Sequence, residues 1–168
     1  FGGSGYDIAC AFANSAVFFD YNNQNPKIKE FDFNPNYSDN IAFVYLGKKM
    51  NSRDSIKRME FLSDSALIEQ ITASVKSLSK SLDIKQFEVH INELENLTSR
   101  FIGLKTIKEE LFSDYQYSIK SLGAWGGDFT LATSNRSKEE TLTYFKSKGH
   151  SFVIPYEKMI LKKNSLLK

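Results

Sequence analysis

The chain has 168 residues, 41% of them hydrophobic, 14% aromatic and 25% charged, enough for one substantial core and unlike a disordered chain. A net charge of +2 without a dense Lys/Arg face argues against a nucleic-acid partner. No apolar stretch reaches the ~18 residues of a membrane-spanning helix, so no membrane partner is expected.

The sequence opens Phe1-Gly2-Gly3-Ser4-Gly5, three glycines in five residues and no Met, which reads as the middle of a loop and hence as a fragment. Tyr6 to Asn14 is Ala-rich and predicts a short helix, followed by a strand over residues 15–21, a turn over 22–26 and a half-buried strand over 28–33. Ile41 to Leu46 reads as a more deeply buried strand ending at Gly47. Asn51 or Ser52 is placed to cap a short helix from Arg53, and apolar residues from Leu67 to Leu82 recur at helical spacing. Asp83 with Gln86 resembles a capping box for a helix carrying Phe87, Ile91, Leu94, Leu97 and Phe101 and ending near Gly103. A short segment runs through Leu111, then a strand over 117–120, a glycine loop, and a strand over 128–133. Ser137 with Glu140 predicts a capped helix to Lys148, and residues 151–155 a last strand. The pattern gives an α+β fold, an antiparallel sheet with helices on one face, with the ferredoxin-like split arrangement as first choice.

Few residues have the spacing that chemistry needs. Cys10 is the only cysteine, which excludes an intrachain disulfide and points to a reducing, cytoplasmic setting. Its apolar neighbours Ile8, Ala9, Ala11 and Phe12 predict a buried, inert thiol. His90 and His150 have no partners at zinc-ligand spacing. Two glycine clusters each adjoin an acid: Gly2-Gly3-Ser4-Gly5-Tyr6-Asp7 and Gly123-Ala124-Trp125-Gly126-Gly127-Asp128. Such loops present backbone amides to anions, but neither matches the P-loop or the dinucleotide fingerprint, and each alone reads as a turn.

Taken together the two segments resemble the GHMP kinase superfamily. Ser4-Gly5-Tyr6-Asp7-Ile8-Ala9, a short helix and a strand are similar to the Ser-Gly-x-Asp segment of mevalonate and phosphomevalonate kinases. Gly5 to Ala9 spells the Gly-Tyr-Asp-Ile-Ala string of a bacterial branch of that superfamily. Lys120 to Asp128 resembles the third motif, Lys-x-x-Gly-Ala-Gly-Gly-Gly-Gly/Asp, with over a hundred mainly helical residues between. The resemblance implies a single C-terminal domain over residues 1–168, with 1–21 at a seam with a missing N-terminal half.

The same resemblance implies roles. Asp7 corresponds to the acid that takes the proton from the acceptor oxygen, a task needing only hydrogen-bond reach and a modest pKa. Gly123, Ala124, Gly126 and Gly127 correspond to the loop beside the substrate. Lys120 precedes that loop as in the family, with a structural lysine as the alternative, and Ser4 and Gly5 are substrate-adjacent, Ser4 reading better as a helix cap. Trp125 departs from the family glycine; its indole either walls the acceptor pocket or packs under the loop. Asp128 after the glycines tilts the reading towards phosphomevalonate. Lys120, Arg136 and, if the Gly47 turn lies alongside, Lys48, Lys49 and Arg53 supply positive charge for such an acceptor.

ATP and Mg2+ are the implied cofactors, bound mainly by the missing half, because the Pro-x-x-x-Gly-Leu-Gly-Ser-Ser-Ala motif is absent. The chain alone is therefore expected to be inactive. Its implied partners are that half and a small-molecule acceptor, and a homodimer is compatible with the family. The rivals are a non-catalytic ferredoxin-like binding or regulatory module, and a GHMP kinase acting on a sugar.

Overall fold

The computed structural model describes residues 4–22, 25–47, 64–123, 125 and 127–160. Contacts divide the chain into two compact units, Asn36–Met159 and the residues on either side of it. The fold is α+β, with one two-stranded and one four-stranded antiparallel sheet.

The first unit begins with α1, Tyr6–Phe12, which follows Gly5 in the left-handed region at φ 82°. Only Ala9 of this helix is buried. It is followed by the hairpin of β1, Ala16–Asn22, and β2, Asn25–Phe31, in register from Ala16 opposite Phe31 to Asn22 opposite Asn25. Phe18 stacks on Phe31 across the pair at 4.4 Å, and the ring of Tyr6 meets Phe19 edge-on at 5.7 Å. Glu30 accepts from the Asn14 amide at 3.2 Å and from the Ser15 hydroxyl at 3.0 Å, tying the helix exit to β2. The turn expected over 22–26 is shorter, because pairing continues to Asn22 and resumes at Asn25.

The second unit holds β3, Ile41–Tyr45, preceded by a 3-10 turn at Ser38–Asn40. Two long helices come next: α2, Ser65–Leu78, and α3, Ile84–Ile102. A short helix α4, Ile107–Leu111, leads to the hairpin of β4, Ile119–Ser121, and β5, Phe129–Thr133. Helix α5, Lys138–Ser147, strand β6, Val153–Pro155, and a turn of helix α6, Tyr156–Met159, complete it. The sheet order is β4-β5-β3-β6 with every neighbour antiparallel. The helix expected from Arg53 lies outside the described residues.

Helices α2 to α5 start where short polar side chains satisfy the first amides. Asp64 accepts from Leu67 at 3.0 Å and Asp83 from Gln86 at 2.8 Å. Thr106 with Glu109, and Ser137 with Glu140, form reciprocal capping boxes. Helix α3 ends as expected at Gly103, which adopts φ 69°. Its buried stripe is Phe87, Ile91, Leu94 and Leu97, with Glu95 buried among them.

One face of the sheet puts Val44, Ile119 and Ala132 into a core with Ile107, Phe112 and Phe145. On the opposite face Phe43 stacks on Tyr156 of α6 at 6.3 Å. Burying an aromatic of this size stabilises the unit by about 2–3 kcal/mol. Tyr115 lies against Phe145 at 5.1 Å, and its hydroxyl donates to the Thr133 carbonyl at 2.6 Å, so burial raises its phenol to about 12.

Candidate functional site

The residues singled out from sequence fall into two groups, one in each unit. In the first, Ser4 and Asp7 are exposed, and the Ser4 hydroxyl accepts from the Tyr6 amide at 3.3 Å. Contrary to the expected cap, the N-cap position of α1 is Gly5, and no side chain caps the helix. A side chain added at Gly5 would meet open space, so its positive φ alone accounts for glycine there. Asp7 stands in the first turn of α1. An open, mainly apolar groove of about 310 Å3 in this unit is lined by Gly5, Ile8, Phe12, Phe19 and Ile28, among others, and not by Asp7.

Cys10 is exposed, contrary to the buried thiol expected from its neighbours. A helix this short turns only one position inward, and Ala9 occupies it. A hydrogen bond with Cys10, together with burial, pushes the Tyr6 phenol up to about 12.

In the second unit, Lys120 to Asp128 forms the end of β4 and the connection to β5. The connection is longer than the two to five residues usual for a hairpin. Pairing extends one step beyond the strands, from the Leu122 amide to the Phe129 carbonyl at 3.2 Å. Gly123 is exposed at φ 65°, and a side chain there would meet nothing within 4 Å. Gly127 is buried and Asp128 exposed; Ala124 and Gly126 lie outside the described residues.

Trp125 stands where the resemblance leads one to expect glycine. Its backbone sits at φ 20°, uncommon for a residue with a side chain. The indole is buried and donates from Nε1 to the Lys105 carbonyl at 3.2 Å. Of the two expectations for this ring, packing under the loop is the one its geometry fits.

Lys120 turns inward. Its ammonium lies 3.6 Å from Glu95 Oε2 and donates to the Ser121 carbonyl at 3.1 Å, with only 17% of the side chain exposed. Burial lowers its pKa, an effect that the Glu95 charge opposes. Glu95 also accepts from the Ser121 amide at 3.0 Å, the Ser121 hydroxyl at 2.8 Å and the Ile107 amide at 3.4 Å. Sequence reasoning missed Glu95. The available signal was a carboxylate one turn after Ile91 in the apolar stripe of α3, where a charge has to be paired.

The far end of the loop is fixed by the Leu46 amide, which donates to the Asp128 carbonyl at 2.8 Å. Leu46, just before Gly47, thus lies alongside the loop's end, while Lys48, Lys49 and Arg53 are outside the described residues. Arg136 is not part of this neighbourhood. It follows the opposite end of β5 and donates to Gln116 at 3.1 Å.

Among the described residues no group of three or more His, Cys, Asp or Glu side chains is placed to hold a metal. The loop glycine Gly123 offers open space rather than a cradle, and Lys120 is engaged by Glu95. The described residues therefore do not by themselves fit magnesium or the phosphates of ATP. Nor, among them, is any helix long and apolar enough to cross a membrane. Comparison with known proteins gives no match to a protein-family model, a curated protein or a solved structure.

Proposed function

We propose that this chain is the C-terminal, acceptor-side part of a cytoplasmic ATP-dependent small-molecule kinase of the GHMP type. It would pass the γ-phosphoryl group to a mevalonate- or phosphomevalonate-like acceptor, with ATP and Mg2+ held by residues outside the chain. The observation that carries this reading is the Lys120–Asp128 segment. The resemblance requires it to be a substrate loop, and it is an overlong hairpin connection held at a sheet end by specific bonds. The strand order β4-β5-β3-β6, joined in a β-α-β-β-α-β sequence, supports the ferredoxin-like domain that the same resemblance implies.

Asp7, exposed in the first turn of α1, would accept the proton of the acceptor oxygen. The acceptor's negative charge would be met by loop amides rather than by Lys120, whose ammonium is directed at Glu95. Phosphoryl transfer depends mainly on positioning and electrostatics, so the chain alone would be inactive. The engagement of Lys120 also favours a second reading, a non-catalytic ferredoxin-like module in which the loop is only a turn.

An ADP-release assay on the full-length protein with mevalonate, phosphomevalonate and galactose in parallel separates these readings. The proposal expects turnover with an isoprenoid acceptor, phosphomevalonate ahead of mevalonate. Higher efficiency with galactose would replace it by the sugar-kinase reading, and no ADP release with any acceptor would favour the module.

A further inference from the structure

We infer that Glu95 is a positioning residue, the buried carboxylate that anchors the entrance of the β4–β5 loop at Lys120 and Ser121. In its kinetic consequence this rests on the reading of that loop as the acceptor loop; in its structural consequence it stands alone. Glu95 is 2% exposed, and both of its oxygens are engaged. Oε2 receives the Ser121 amide and faces the Lys120 ammonium, while Oε1 receives the Ser121 hydroxyl and the Ile107 amide. One side chain on α3 thus joins the residue at the loop's entrance to the first residue of α4.

The middle of the loop reaches the same place by a separate route. Trp125 donates to the carbonyl of Lys105, two residues before Ile107. The connection from α3 to α4 is therefore the bed on which the loop rests, and Glu95 fixes both the bed and the entrance. At the exit, the Thr130 hydroxyl donates to the Lys120 carbonyl at 2.6 Å, and Leu46 holds Asp128. Of these ties only Glu95 carries charge. Without it the Ser121 amide and hydroxyl, the Ile107 amide and a largely buried ammonium lose their common acceptor, a heavy penalty for buried donors. Loop amides stabilise developing charge only when held in place beforehand, and a displacement of about 1 Å costs on the order of a hundredfold in rate.

The test compares Glu95→Gln and the double variant Glu95→Gln/Lys120→Met with the parent. The glutamine has the same length but sets an NH2 group against a donor. The methionine removes the stranded ammonium, so the double variant regains stability without regaining the carboxylate. In both variants, amide exchange over Ser121–Asp128 is expected to accelerate at least tenfold while exchange in α5 stays at the parental rate. In the full-length protein, kcat per folded molecule is expected to fall about a hundredfold and the acceptor KM to rise, the nucleotide KM holding. A purely structural Glu95 would lower stability and leave kcat per folded molecule unchanged. Turnover within twofold of the parent in the double variant, or unchanged loop exchange, would overturn the inference. If the parent itself transfers no phosphoryl group, the kinase reading fails and loop exchange alone decides on Glu95.

Discussion

The two glycine segments sit on regions of opposite construction. The Ser4–Asp7 segment leads into a seven-residue helix followed by a two-stranded hairpin, an arrangement that alone is at best marginally stable. Tyr6, Ile8, Phe12, Tyr21 and Ile28 there are each about half exposed or more, Phe12 reaching 84%. The Lys120–Asp128 segment sits on a four-stranded sheet with fully buried Phe112 and Phe145 beneath it and helices capped at their starts. The contrast separates two ways of carrying chemistry. The acid Asp7 lies where the chain supplies little packing of its own, whereas the loop is tied at Ser121, Trp125 and Asp128 to a packed sheet and its helices.

The largest expected effect bears on the less packed region. In the full-length protein, Asp7→Asn is expected to lower turnover by about 10²–10⁴-fold with little change in ATP affinity, as measured by steady-state kinetics. A loss smaller than tenfold would remove Asp7 as the base and leave the loop as the sole candidate. Next comes packing. Phe145→Ala is expected to destabilise the second unit by about 3–5 kcal/mol in urea denaturation, and Phe12→Ala by no more than ~0.5 kcal/mol. Comparable losses at both positions would show that the first unit is packed as tightly as the second.

Capping gives a smaller effect. Ser137→Ala removes the hydroxyl that accepts from the Glu140 amide at 3.2 Å and is expected to cost about 1 kcal/mol by the same measurement. The smallest is a surface titration. Hydrogen bonds from Lys148 and Tyr144, both at 2.8 Å, hold the Asp114 carboxyl below its ordinary range. A depressed carboxyl stabilises the fold above its unfolded pKa of about 3.9 and loses that contribution as pH falls through the folded value. The Tm difference between the parent and Asp114→Asn is therefore expected to be present at about pH 6 and to close as pH falls below ~4. A difference that widened on acidification would reverse the sign of this assignment.

Most of the second unit was legible because its signals are local. Asp83 with Gln86, Ser137 with Glu140, and the apolar stripe from Phe87 to Leu97 each specify an element within a few residues. Strand ends shifted by one or two residues, as at 119–121, because pairing partners and not the strand's own sequence decide where a ladder stops. Helix α6 was missed, since one turn carries too few residues to show a period. The candidate site was legible only as motifs. That Lys120 faces Glu95 and Trp125 reaches Lys105 depends on residues 25 and 20 positions away, and no spacing rule reaches that far. Cys10 failed for a related reason, because apolar neighbours in sequence predict burial only when the helix has a full buried face.

Under the proposed function, the loop between β4 and β5 touches the acceptor. Amide resonances of Gly123, Gly126 and Gly127 in the full-length protein, followed while phosphomevalonate is added, test it most directly. These three are expected to move saturably, while Gly149, in the turn after α5, stays in place. Saturable shifts confined to residues outside the loop, or none at all, would contradict it.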